Sequence, residues 1–256
     1  MLLSNINEVF IGKDFPKEWK DCIVVPIHKK GDKHDPNNYR GISLINTMLK
    51  VPCKILAARL QSICLESDIL CREQTGFIAK EECVAQAATL LECCERRKNN
   101  NENTILCFLD LKKAYDLVPH DLLYTSLAKA GLGEKLISFI KKMYDNTNLK
   151  IRIGNTYGKS IEYKRGVRQG CPTSPILFNI FYNSVLENIE PVKIDGLQQG
   201  LRGLMFADDT VILAETRNDL VNKLNCIQKW MKENWMEINQ SIQVMYHGNL
   251  SRSKLS

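Results

Sequence analysis

The stretch that most limits how this chain can fold is Gly203-Leu-Met-Phe-Ala-Asp-Asp-Thr-Val-Ile-Leu-Ala214. Two short apolar runs, one ending on Phe206 and one beginning at Val211, flank two adjacent carboxylates, Asp208 and Asp209. Runs this short, separated by turn-forming residues, predict the two strands of a hairpin with the Asp-Asp pair at its tip. No Lys or Arg lies between Arg202 and Arg217 to neutralise the pair along the chain. Such a tip either projects into water or holds a cation, and its own residues leave both readings open.

A third carboxylate occurs in a matching context. Thr104-Ile-Leu-Cys-Phe-Leu109 is a continuous apolar run, which predicts a strand buried on both faces, and it ends at once in Asp110. If the two strands are neighbours, three acidic groups converge at one end of a sheet. Hard oxygen ligands on rigid elements suit Mg²⁺, which keeps several waters and bridges to substrate phosphates. Taken singly, each carboxylate also has a plainer reading: Asp110 as a helix N-cap, Asp208 and Asp209 as a solvated turn.

Composition narrows the class of protein without choosing a function. The 256 residues suit one large domain or two closely packed lobes. A hydrophobic fraction of 44% with 25% charged residues is that of a soluble globular chain. The net charge of +6 suits a polyanionic partner without requiring one. The 10 cysteines form no Cys-x-x-Cys pair and none meets His at zinc-finger spacing, so they are expected to be reduced, mostly buried thiols of an intracellular protein. The expected compartment is nucleus or cytoplasm. The first residues lack a signal-peptide layout and no apolar run reaches the length of a membrane span, so no membrane partner is expected.

The remaining pattern predicts an α+β arrangement, helices packed on antiparallel sheet. Residues 1–20 are expected to be helical with a break near Gly12 and Pro16. Cys22–Ile27 is a strand on which Pro26 marks an edge or an end. A basic polar loop spans 28–40. The apolar spacing of 46–66 predicts a helix beginning near Pro52. Gln74–Phe77 is a turn, and 81–98 a helix with Val84, Ala88, Leu91 and Cys94 on one stripe. Helices at 120–130 and 134–144 precede a hairpin, 150–153 against 161–164, around Gly154–Gly158. A loop at 166–175, helices at 176–189 and 217–233, and a strand near 242–246 complete the pattern.

Six segments, in this order, go further: Ile27-His-Lys-Lys-Gly-Asp32, Asn38-Tyr-Arg-Gly-Ile-Ser-Leu44, Gln74-Thr-Gly-Phe77, Phe108-Leu-Asp-Leu-Lys-Lys-Ala-Tyr-Asp116, Gly166-Val-Arg-Gln-Gly-Cys-Pro-Thr-Ser-Pro175 and Phe206-Ala-Asp-Asp209. Over about residues 19–246 the chain resembles the reverse transcriptase domain of non-LTR (LINE-type) retrotransposons. The resemblance implies a right-hand polymerase fold with fingers (1–104) and palm (105–256), the hairpin at about 150–164 assigned to their junction and the thumb absent. It implies RNA-directed DNA synthesis by two-metal nucleotidyl transfer, adding dNTPs to a primer 3′-hydroxyl. The partners are then an RNA template, a DNA primer and dNTPs, and the cofactors two Mg²⁺ ions, with Mn²⁺ as a substitute.

Carried onto this sequence, the resemblance makes Asp110, Asp208 and Asp209 the catalytic carboxylates. Asp110, Asp208 and the carbonyl of Leu111 become metal ligands, with Asp209 less strictly required. Lys29 and Arg40 are placed on the dNTP triphosphate, for which a mobile ammonium and a bidentate guanidinium are suited. Tyr115 falls where an aromatic ring under the sugar leaves no room for a 2′-hydroxyl, which selects dNTP over rNTP. Gln169 and Gly170 match the loop supporting the primer–template pair and nucleotide, and Lys164, Arg165 and Arg168 beside it are candidates for template phosphates or for a solvated face. Asp116, in the same motif, is expected to be structural.

Two departures carry weight. The family usually has a Lys after an Asn in the last palm segment, whereas Glu237-Ile-Asn-Gln-Ser-Ile-Gln-Val-Met245 has none and is about one residue short. General acid catalysis contributes about 10²–10⁴-fold, so its loss slows turnover without removing the metal site. The chain stops at Ser256, where the family continues into a thumb and often has an endonuclease domain elsewhere. A truncated copy of a longer element is therefore expected, and a catalytically impaired remnant that only binds nucleic acid is the alternative. A two-metal nuclease is the other rival; it would need further carboxylates and would leave the Tyr115 and Gln169 segments unexplained.

Overall fold

The structure, a computed structural model, describes residues 2–239 and 242–248. In chain order the elements begin with α1 (Leu2–Ile11), α2 (Lys17–Lys20), β1 (Cys22–His28), β2 (Tyr39–Leu44) and α3 (Thr47–Glu66). Next come α4 (Cys83–Asn99), β3 (Thr104–Leu109), α5 (Ala114–Leu117), α6 (His120–Lys129) and α7 (Glu134–Tyr144). They are followed by β4 (Asn148–Ile153), β5 (Thr156–Tyr157), β6 (Ile161–Glu162), α8 (Ser174–Tyr182), β7 (Val192–Ile194) and β8 (Leu197–Leu201). The last are β9 (Gly203–Phe206), β10 (Asp209–Ala214), α9 (Arg217–Glu233) and β11 (Gln243–His247). The chain packs as two units, residues 1–69 with 115–181 and residues 70–114 with 182–256. It therefore changes unit at 69/70, 114/115 and 181/182.

The first unit is built on a sheet of order β2-β1-β4-β5, with β6 also pairing β4. β1 runs antiparallel to β2 along its length and parallel to β4 only over Cys22–Val24. Pro26 therefore lies where β1 has a neighbour on one side alone, opposite Gly41, which is where a residue without an N–H is tolerated in a sheet. The hairpin at 150–164 turns at Gly154-Asn155, with its return strand split into β5 and β6. Phe10 stacks on Phe139 at 4.1 Å between ring centres, joining α1 to α7. α3 starts at Thr47, five residues earlier than Pro52 suggested. Asn46 caps it, its side chain accepting from the Met48 amide at 2.8 Å. That cap and the buried face of Leu49, Cys53, Leu56 and Leu60 outweigh the one hydrogen bond Pro52 removes.

The second unit holds an antiparallel sheet of order β11-β3-β10-β9 and a two-stranded ribbon, β7 with β8. β3 and β10 are the interior strands, which is why both are near-continuous apolar runs. One face of the sheet carries Leu106, Leu204, Val211 and Leu213 packed against Cys93 and Cys94 of α4 and the ribbon's Val192, Ile194 and Leu201. α9 packs on β10 and β3, capped by Thr216, whose hydroxyl accepts from the Asp219 amide at 3.1 Å. Of the expected stripe on α4, Cys94 is buried in this core, while Val84 at 74% and Leu91 at 61% exposed face outward with Ala88. α4 docks through its C-terminal half, where buried Arg97 pairs with Glu102 and Glu215 at 3.0 and 3.3 Å and donates to the Thr104 hydroxyl at 3.0 Å. The helix expected at 176–189 ends at Tyr182 and continues as a 3₁₀ turn over Asn183–Leu186. There Asn183 accepts from the Cys71 amide at 2.7 Å and Ser184 from the Trp230 indole at 2.9 Å, short polar side chains diverted to tertiary partners. All 10 cysteines are free and seven are buried. No described helix is long and apolar enough to cross a membrane.

Candidate active site

The Asp-Asp hairpin forms as its pattern predicts. β9 and β10 pair antiparallel with Phe206 opposite Asp209, leaving Ala207 and Asp208 as the two-residue turn. Tight hairpin turns need positive φ, and Ala207 adopts φ 60° although its Cβ disfavours that region. What holds it there is Gln74, only 1% exposed. The Gln74 Oε1 accepts from the amides of Ala207 and Gly76, each at 2.9 Å, and its Nε2 donates to the Ala207 carbonyl at 3.0 Å. The backbone beside it pairs with β9: the Thr75 amide donates to Met205 O at 3.1 Å, and the Met205 amide to Glu73 O at 2.8 Å. The segment expected to be a simple turn is therefore also an edge partner of β9 and a brace for the carboxylate turn. Gly76 is required by this proximity, because a Cβ there would stand 2.0 Å from Ala207 N.

Asp110 reaches the same end of the sheet. β3 and β10 pair with Leu109 opposite Thr210, so Asp110 and Asp209 are the next residues beyond the ladder. Both line an apolar pocket of about 400 Å³ with Leu90, Phe108, Leu204 and Val211. Partial burial, and then the negative charge of Asp110, push the Asp209 carboxyl above the ordinary range. Asp208, half-buried in the turn, is not part of that lining. Its charge instead helps raise the buried Tyr182 hydroxyl, behind the larger effect of burial; that hydroxyl lies 3.1 Å from Thr210 Oγ1. The structure thus gathers Asp110 and Asp209 around one pocket and leaves Asp208 in the adjoining turn.

The donor set bears on whether a divalent cation suits this place. Among the described residues no three His, Cys, Asp or Glu side chains cluster closely enough to cage a metal on their own. Mg²⁺ does not need such a cage, since it is held by one or two carboxylates with the rest of its shell from water and substrate phosphate. Asp110 and Asp209, close enough that the charge of the first adds to the rise of the second, meet that requirement. The Leu111 carbonyl fits as well. Leu111 bridges Ile238, but the bonds of that bridge run from Lys112 N to Glu237 O and from Asn239 N to Asp110 O, leaving the Leu111 carbonyl outside them.

The other candidates lie in the first unit. Lys29 and Arg40 are both exposed on the β1–β2 hairpin, which the Lys29 amide closes onto Asn38 O at 2.9 Å. Ile27 pairs with Arg40, so Lys29, two residues on, shares Arg40's face. The Tyr115 ring, half-buried, stacks on Phe178 at 5.0 Å and 14°. Gln169 accepts from the Ser43 amide through its carbonyl at 2.7 Å, fastening the 166–175 loop to β2. Gly170, at φ 117°, brings its backbone close to β2: a Cβ there would be 2.8 Å from Ser43 O. Lys164 is exposed and pairs with Glu162 at 3.1 Å, and the Arg165 Nε donates to Leu117 O.

Arg168 corrects the sequence-based expectation. Its side chain is 0% exposed and cannot reach a template phosphate. It donates through Nη2 to Met143 O at 2.6 Å and to Thr147 Oγ1 at 3.0 Å, with the Tyr144 ring centre 5.1 Å from its guanidinium carbon. In a basic cluster such as Lys164-Arg165-Gly-Val-Arg168 an Arg is ordinarily solvated, and nothing local marks this one as interior. Sequence reasoning also missed the bracing role of Gln74 and the contact of Asn239 with Asp110, because the partners are 133 and 129 residues away.

Carboxylates presented at one end of neighbouring antiparallel strands, one of them on a tight hairpin turn, mark the class of palm-type nucleotide polymerases. Within that class the chain belongs to the reverse transcriptase (RNA-dependent DNA polymerase) family, whose model matches residues 27–247. It is 29% identical over 238 residues to the Pol polyprotein of the type-1 retrotransposable element R2 of Nasonia vitripennis, covering 92% of this chain and 23% of that protein. It is 30% identical over 176 residues to the probable RNA-directed DNA polymerase from transposon BS of Drosophila melanogaster, covering 68% of this chain and 19% of that one. The chain thus spans about a quarter or less of these relatives, which are polymerases of non-LTR elements. Among solved structures, apo telomerase from Candida tropicalis truncated from its C-terminal domain aligns with a TM-score of 0.68. At 15% identity, over 97% of this chain and 55% of that one, the likeness is one of fold.

Proposed function

We propose that this chain is the polymerising core of a retrotransposon reverse transcriptase, extending a DNA primer on an RNA template with dNTPs. The observation that carries the reading is the Gln74-braced Asp208-Asp209 turn beside Asp110 in a chain of this family. Asp110, Asp208, Asp209 and the Leu111 carbonyl are the groups that would hold Mg²⁺, with Mn²⁺ as a substitute. Two such ions, when bound, supply activation of the primer 3′-hydroxyl and charge stabilisation for the leaving pyrophosphate. The chain's own contribution is to hold these oxygens in place before substrate arrives. Lys29 and Arg40 bind the triphosphate, Gln169 and Gly170 support the base pair being formed, and Lys164 and Arg165 face template phosphates. Arg168 takes no part in binding; it stiffens the fold behind the 166–175 loop.

Extension of oligo(dT) on poly(rA) by the purified chain in Mg²⁺ or Mn²⁺ tests the reading. Incorporation of dTTP is expected. Retained duplex binding without incorporation in either metal would favour the impaired remnant. Tyr115 supports a second expectation. Its ring is clamped against Phe178, so it presents a fixed wall. Tyr115→Ala should raise ribonucleotide incorporation relative to deoxyribonucleotide by roughly 10–200-fold, the discrimination worth of a contact of this size. Competition between rUTP and dTTP on the same template measures it.

A further inference from the structure

We infer that Asn239 is a positioning residue for Asp110, fixing which carboxylate oxygen is left for a metal ion. The inference rests on the proposed metal role of Asp110. Two bonds join the residues: the Asn239 amide donates to the Asp110 carbonyl at 2.8 Å, and the Asn239 Nδ2 donates to Asp110 Oδ2 at 2.7 Å. The first fixes the backbone from which the carboxylate projects, and the second fixes its rotation. With Oδ2 engaged by an amide, Oδ1 is the oxygen turned over to a cation. Asp110 lies just past the last paired residue of β3 and is exposed, so strand pairing alone does not restrain its side chain.

The segment bearing Asn239 is itself held. Ile238 bridges Leu111, the Lys112 amide donates to Glu237 O at 2.9 Å, and the Lys112 Nζ pairs with Glu237 at 2.9 Å. Asn239 thus acts from a short antiparallel bridge, not from a free loop. An asparagine amide is suited to the task because it donates to a carboxylate without neutralising it, so the anionic charge a metal needs is kept. Hydrogen-bond partners of metal ligands typically contribute 10–100-fold in metal affinity or activity. Among the described residues, Asn239 is the one side chain whose bond to the Asp110 carboxylate the structure records. The neighbouring positions 240–241, where the family's missing Lys would be sought, lie outside the described residues.

Mn²⁺ binding, followed by the loss of the free-ion electron paramagnetic resonance signal, tests the inference without requiring turnover. The full chain is compared with Asn239→Ala, Asp110→Asn and Lys112→Ala. Lys112→Ala loosens the same segment but leaves the carboxylate contact. Asp110→Asn is expected to lose the site. Asn239→Ala should weaken Mn²⁺ by about 10-fold or more, Lys112→Ala by less than about 2-fold, and thermal midpoints should stay together. Asn239→Gln, which keeps the backbone bond but carries its amide one methylene further, should weaken binding similarly. It serves as the variant of record if the alanine form melts early. In primer extension, Asn239→Ala should need correspondingly more Mg²⁺ for half-maximal rate, with little change in dTTP KM. Unchanged Mn²⁺ affinity in both Asn239 variants, with Asp110→Asn inactive in binding, would overturn the positioning role alone. Equal weakening by Asn239→Ala and Lys112→Ala, with matching falls in melting, would overturn it in favour of a structural role. Unchanged binding in Asp110→Asn would overturn the metal role of Asp110 on which the inference stands.

Discussion

Asp110→Asn and Asp208→Asn should each lower the rate of primer extension by about 10³-fold or more, without unfolding the chain. The magnitude follows from the charge. A carboxylate that holds a divalent cation contributes several kcal/mol to stabilising the transition state, and each 1.36 kcal/mol is about tenfold in rate. The fold should tolerate the change, because Asp110 is exposed and Asp208 half-buried in a turn. Removing the Asp110 charge also relieves the repulsion that, after burial, raises Asp209, so melting of Asp110→Asn should shift little or slightly upward. Asp209→Asn gives a finer reading. The family pattern ranks Asp209 below Asp208, whereas the pocket pairs Asp209 with Asp110. Single-turnover extension rates of the three variants decide the order. Wild-type rates in Asp110→Asn and Asp208→Asn would dismiss both as metal ligands.

Gly76→Ala should be the most damaging substitution that removes no chemistry. The added methyl carbon would lie 2.0 Å from Ala207 N, 2.7 Å from Phe206 C and 2.8 Å from Ala207 Cα. All three are backbone atoms of the carboxylate turn, so relief requires moving either that turn or the Gln74 segment. Overpacking of this kind costs about 1–3 kcal/mol and sometimes more. A displacement of about 1 Å at reacting groups costs on the order of 10²-fold in rate. The expected result is a lowered melting temperature together with a fall in extension rate of roughly 10²-fold. Gly133→Ala is the matched control: its added carbon meets nothing within 4 Å, and neither quantity should move. A Gly76→Ala protein with wild-type extension would show that the turn does not depend on the close approach of this segment.

These two experiments separate what is local from what is not. The hairpin, β3 and α9 follow from patterns within a few residues: apolar runs closed by turn residues, and a helix opened by Thr216 with Asp219 three positions on. α9 spans the expected 217–233. Other features differ because a second local signal or a tertiary contact overrode the first. Pro52 suggested a helix start, but the Asn46 cap set it earlier. The α4 stripe is packed only at Cys94, in the half of the helix where buried Arg97 meets its two carboxylate partners, and is exposed at Val84 and Leu91. The ribbon β7–β8 was not foreseen at all, since Val192-Lys-Ile194 is too short to stand out and is stabilised by Cys93 and Cys94 of a helix far away in the chain.

The sequence by itself determined the candidate groups: carboxylates on strand ends, an aromatic at Tyr115, cations at Lys29 and Arg40, and the family whose ordered segments contain them. Each of these is written in neighbouring residues, and short-range chemistry can be read from short-range order. Only the tertiary structure decided which groups meet. It placed Gln74 under the turn, Asn239 on Asp110, Asp209 in the pocket with Asp110, and Arg168 inside the first unit, away from solvent. The physical reason is that burial and hydrogen-bond partnership depend on contacts between residues more than a hundred positions apart, and no periodicity or motif spacing encodes such a distance.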